Sequence, residues 1–138
     1  MKSTNYYTTF IRVAEDSAAQ SAVVPPPRGA KKPIHLLHYE LIAQAPYTHT
    51  QDDVLWLTHV MHKELTAADA TPAHREEFFA KGQPCLRTSA LAKKYGWGFH
   101  FDEQGRVALV PLGSTDYERL VADSSVRQLK AMRSSRRG

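Results

Sequence analysis

Trp97-Gly98-Phe99-His100-Phe101 and Arg106-Val107-Ala108-Leu109-Val110, separated by Asp102-Glu103-Gln104-Gly105, decide the fold class. In the first run aromatic residues alternate with Gly or His at the period of a strand, which predicts that Trp97, Phe99 and Phe101 share one face toward a core. The second run is rich in β-branched and aliphatic residues. A short connection containing Gly between two such runs predicts an antiparallel hairpin.

Working outward, Gly96 is a natural stop for a helix that starts at Pro84 or Ser89. Upstream, Thr71 followed by Pro72 reads as the cap and first residue of a helix running through Phe78 and Phe79 to Gly82. Pro33 opens another helix, striped by Ile34, Leu37 and Leu41 and ending before Pro46. Between these helices, Thr50 to Asp53 read as a turn, and the near-continuous apolar run Val54 to Met61 suits a central strand. Tyr7 to Ala14 read as a first strand, and residues 15–32, with Pro25-Pro26-Pro27 and Gly29, as a long connection. Thr115 and Glu118 form a capping-box pattern for a helix over residues 116–122, and Val126, Leu129 and Met132 stripe a final helical segment. The expected fold is a single α+β domain over residues 1–126. Its mainly antiparallel sheet has four strands, near residues 7–14, 54–61, 97–101 and 106–110, and is covered by helices. A basic C-terminal helix or tail occupies residues 127–138.

Composition narrows the function classes. At 138 residues, 42% hydrophobic and 23% charged, the chain is of ordinary globular make-up and of one-domain size. No window approaches the ~20 consecutive apolar residues of a membrane helix, and Met1 to Phe10 lacks the basic-then-apolar order of a signal peptide, so a cytoplasmic protein is expected. Cys85 is the single cysteine, which rules out an intramolecular disulfide and a zinc cage built from cysteines. The net charge of +4 is uneven: residues 127–138 carry five basic residues and no acid, leaving −1 for the rest. Arg127, Lys130, Arg133, Arg136 and Arg137 thus form a segment suited to nonspecific, salt-sensitive contact with nucleic acid.

Three other constellations carry chemistry. Lys81-Gly82-Gln83-Pro84-Cys85-Leu86-Arg87 could open a helix whose N-H groups, with Lys81 and Arg87, favour an anion. The reading centres on residues 81–100, with Lys81, Gln83, Arg87, Lys94 and Trp97 as ligand-binding candidates for a small phosphate- or carboxylate-bearing molecule, or for a protein partner. Cys85 and His100 are the candidates for thiol catalysis, which needs a base within reach of the sulfur. The pattern HxxHxE occurs twice, at His35, His38 and Glu40 and at His59, His62 and Glu64. The first copy on a helix could ligate a metal, whereas on a strand His59 and His62 point to opposite faces. Chance accounts for such spacing among seven histidines, and the reading assigns neither metal nor cofactor. No enzyme signature emerges.

Four phrases, Asn5-Tyr-Tyr-Thr-Thr-Phe-Ile-Arg-Val-Ala-Glu-Asp16, Phe78-Phe-Ala-Lys-Gly-Gln-Pro-Cys-Leu-Arg87, Lys94-Tyr-Gly-Trp-Gly-Phe-His-Phe-Asp102 and Leu129-Lys-Ala-Met-Arg133, are found together. Together they resemble a family of small bacterial and fungal proteins of unknown function, across nearly the whole chain. The resemblance implies no activity. It points to the block from Lys81 to Asp102 and does not single out His35, His38, His59 and His62.

Overall fold

A computed structural model describes residues 3–134. The predicted hairpin forms from β2 (Trp97–Phe101) and β3 (Val107–Pro111), paired antiparallel with Phe99 opposite Leu109. Its turn is closed by Asp102, whose carboxylate accepts from the backbone N-H groups of Gln104 and Arg106, while Gly105 takes the positive φ of 80°. β1 (Thr9–Arg12) pairs antiparallel with β2, placing Ile11 opposite Phe99. The fourth strand is β4 (Arg127–Lys130), parallel to β1, and the sheet order is β3-β2-β1-β4.

Two sequence readings are corrected here. Residues 54–61 belong not to a strand but to α2 (Gln51–His62). Its start is set by a capping box: the Thr50 hydroxyl accepts from the Asp53 N-H, and the Asp53 carboxylate accepts from the Thr50 N-H. Residues 127–130 are a strand within the sheet and not a helix or tail, since the carbonyls of Thr8, just before β1, and of Arg12, at its end, accept from the N-H groups of Arg127 and Ala131. Arg136 and Arg137 lie outside the described residues.

The other helices are α1 (Ile34–Gln44), α3 (Pro72–Ala80), α4 (Ala90–Lys93) and α5 (Thr115–Val121). Pro33 sits one residue before α1, and Thr71 caps α3 as its sequence suggests, accepting from the His74 N-H. Pro84 does not open an α-helix. A single 3-10 turn, Leu86–Thr88, follows Cys85, and Ser89 caps the one-turn α4. Ser114, not Thr115, caps α5, accepting from the Tyr117 N-H.

Side-chain alternation splits the core into two layers on opposite sheet faces. Ile11, Phe99, Phe101 and Val107 pack with Ile42, Val54, Leu55 and Leu91 from the α1, α2 and α4 side, and Trp97 and Leu129 close its margin. Phe10, Val110 and Val126 pack with Tyr117 and Leu120 of α5 on the other face. Gly98 lets this smaller layer close, because a Cβ there would lie 2.8 Å from the Phe10 ring. The long connection is strapped to the domain: Val23 donates to the Tyr95 carbonyl and accepts from the Trp97 indole, both at 2.9 Å. Gly96 permits this approach, since a Cβ on it would meet the Ser21 carbonyl oxygen at 2.3 Å. Among the described residues, no helix is long and apolar enough to cross a membrane.

Candidate functional site

The start of α1, the end of α2 and the segment from Gln83 to Ala90 enclose a cavity of about 390 Å³, within the size range of small-molecule sites. Its position follows from α2 being a helix. Spaced three apart, His59 and His62 now lie on neighbouring parts of one helical face, and with His35 and His38 they join the lining around Leu55, Phe78 and Cys85. Gln51 fixes the far wall. It is fully buried, donates to the Thr4 carbonyl at 2.7 Å, and accepts from the Leu86 N-H at 2.9 Å, so one side chain ties the N-terminal segment and the Cys85 turn to α2.

Burial shifts the four imidazoles toward their neutral form. His38, 6% exposed, shares a hydrogen bond with the Ser89 hydroxyl at 3.1 Å, and burial, aided by neighbouring His35, lowers its pKa to about 4. His35 stacks on Tyr95 with centroids 5.1 Å apart and is held below the usual range by burial, then by Arg28 and Lys94. His59 lies against Phe78 at 4.4 Å, and its pKa is likewise lowered, by burial and then by His74 and Lys63. His62 follows the same direction through burial and the cations Lys31 and Lys63. Two buried polar atoms in this wall have no hydrogen-bond partner, the Thr58 hydroxyl and His35 Nε2.

The predicted site residues are dispersed. Gln83 and Cys85 line the cavity; Lys81, Arg87, Lys94 and Trp97 do not. Gln83 donates to the Phe78 carbonyl, and Trp97 serves the strap at Val23. Arg87, read from the sequence as an anion-binding candidate, donates through Nε to the Lys130 carbonyl at 2.8 Å, on the outer strand β4. It lines a groove with Lys130 and Arg133, both paired to Glu15, and a contiguous hollow with Arg12 and Gln128. Cys85 and His100 are not brought together. Cys85 accepts a long contact from the Tyr6 hydroxyl, at 3.7 Å, and Tyr6 packs on Phe101 in the larger core layer. His100 pairs across the sheet with Phe10, on the opposite face, and bonds the Tyr47 hydroxyl at 2.8 Å.

The HxxHxE carboxylates stay away from the cavity. Glu40 pairs with Lys32 at 2.8 Å, and Glu64 lies beyond the end of α2 at a positive φ of 51°. Among the described residues, no three His, Cys, Asp or Glu side chains are grouped to hold a metal ion. Thr58 was missed by the sequence reading, because a hydroxyl inside an apolar run carries no signal until the run is known to be helical.

A family model for a family of unknown function, DUF6157, matches residues 1–137. The chain belongs to the DUF6157 family. No curated protein and no solved structure matches it. For this DUF6157 protein the cavity geometry therefore stands as the primary functional observation.

Proposed function

We propose that this protein binds a small organic molecule, without transforming it, in the cavity between α1, α2 and the Cys85 turn. The observation that carries the reading is the cavity itself, about 390 Å³ lined by the apolar Ile34, Leu55 and Phe78 with the polar side chains of His38, Gln83 and Ser89 among them. The place overlaps the Lys81 to His100 block through Gln83, Cys85, Ser89 and Ala90. Backbone amide shifts in a fragment titration test it. Perturbations confined to residues around Thr58, Cys85 and Ser89 support the reading, and a panel leaving those amides unmoved sinks it.

A second reading, an anionic partner such as nucleic acid, draws support from the groove that gathers Arg87, Lys130 and Arg133, with Arg127 exposed on the same strand. Glu15 offsets part of that charge. Binding of a short oligonucleotide that weakens steeply with salt and is reduced by Arg87→Ala is the expected result; salt-independent binding, or none, removes it.

A further inference from the structure

The cavity has a floor and a mouth of different character. His38, Leu55, Thr58 and Ser89 are the buried members of its lining, whereas Ile34, Lys63, Pro84 and Thr88 are exposed and mark the mouth. Lys63 is the one lining residue with a fixed charge, and no carboxylate is in the lining. Two more cations stand close to it. Beyond burial, the largest cause, the pKa of His62 is lowered by Lys31 and Lys63, and that of His59 by His74, Lys63, Lys81 and His62. The chain path agrees: Lys31 lies three residues before Ile34 and Lys81 three before Pro84, both at the mouth. Among the described residues, Lys31, Lys63 and Lys81 make no ion pair, nor does Glu64 beside Lys63 in sequence, whereas Lys32, Arg75, Arg119, Lys130 and Arg133 each hold a carboxylate. The mouth therefore carries positive charge that the protein's own acids leave unanswered.

We infer that the cavity takes an amphipathic anion, its apolar body inside among Leu55, Phe78 and Ala90 and its anionic group at the mouth, beside Lys63 with Lys31 and Lys81. The inference rests on the reading of this cavity as a ligand site, and it adds the sign of the ligand's charge and the end at which that charge sits. An apolar body is driven inside by loss of its contact with water and needs no polar partner there. A charge carried to the floor would lose its hydration with no fixed opposite charge to replace it. At the mouth the same group keeps its water and lies in the field of three cations. An alkyl or aryl carboxylate and a monoalkyl phosphate share this chemistry. Of the anion-binding candidates read from the sequence, Lys81 belongs with this mouth, while Arg87 serves β4.

The test follows backbone amides of the full chain at pH 7.5 while one alkyl chain is titrated with three head groups, as octanoate, octan-1-ol and octylammonium. Octanoate is expected to bind at least about tenfold more tightly than octylammonium at about 20 mM salt, and the ratio should approach one at about 0.5 M, where screening leaves the apolar contact alone. Replacing two cations of the mouth together, Lys63→Gln with Lys81→Gln, should weaken octanoate at least about threefold and leave octan-1-ol unchanged. Both residues are exposed, so the variant keeps the fold. Octylammonium binding as tightly as octanoate, an octanoate preference that salt leaves intact, or an unchanged octanoate affinity in the variant overturns the inference. In each of those cases octan-1-ol moving the amides near Leu55 and Ser89 keeps the ligand-site reading. If no probe moves those amides, both fall together.

Discussion

The α1-α2 cavity and the β4 groove are both lined by residues able to carry positive charge, yet they treat that charge in opposite ways. In the cavity, burial holds His38, His35 and His59 below their ordinary pKa and so favours their neutral form, leaving the exposed Lys63 as the one fixed charge in the lining. In the groove, Lys130 and Arg133 both pair with Glu15, whose carboxyl is held below the usual range chiefly by its hydrogen bond to Lys130. Residue type alone does not say what a concave surface recognises. Solvent access decides whether a basic side chain acts as a hydrogen-bonding ring or as a charge.

Acid titration of stability should separate the two regions most strongly. His38 has an unfolded value of 6.5 and a folded value of about 4, so the unfolded chain takes up its proton first. The stability tied to neutral His38 is therefore complete above pH 6.5 and is lost as pH falls toward 4, by about 3 kcal/mol in total. His35, His59 and His62 shift in the same direction and deepen the loss. Urea unfolding of His38→Gln between pH 4 and 7 should show a visibly flatter slope than the native chain. Equal slopes would mean that His38 is accessible to protons in the folded state.

Gln51→Ala comes next. It strands the Leu86 N-H and the Thr4 carbonyl, and about 2 kcal/mol of destabilisation is expected in urea unfolding at pH 7. Cys85 should also become more open to thiol reagents, because its turn loses the tie to α2. A variant as stable as the native chain, with Cys85 equally protected, would show that the Cys85 wall is held by packing alone. The smallest effect belongs to the groove. Glu15→Gln should change the melting temperature slightly at low ionic strength and not at all in high salt, as an exposed pair does. A salt-insensitive change would place Glu15 in a more structural role than its exposure suggests.

The hairpin, the first strand and the cap at Thr71 were legible because each depends on a few adjacent residues. Two elements were not, for different reasons. The run from Val54 to Met61 is apolar enough to fit a buried strand or helix, and its period cannot separate them; the deciding signal was Thr50 with Asp53, a cap that also passes for a turn. Arg127 to Lys130 carry no local mark of a strand. Their state is set by β1, a neighbour made at the far end of the chain, which outweighs the helical spacing of Val126, Leu129 and Met132. The misreading of α2 carried into the site, since it set His59 and His62 on opposite faces and left Thr58 unremarked. Arg87 was singled out, but its partner, a backbone carbonyl on β4, could not be foreseen without that strand.

The parallel pairing of β1 with β4 also bears on synthesis. β1 is made before both of its neighbours, and finds β4 only after β2 and β3 have been made. Until then Phe10 and Ile11, both fully buried in the finished domain, flank an unpaired strand edge. A nascent chain stalled before Val126 would present that edge to any strand nearby. β4 thus acts as a seal, and a chain interrupted before it becomes a candidate for chaperone capture or aggregation.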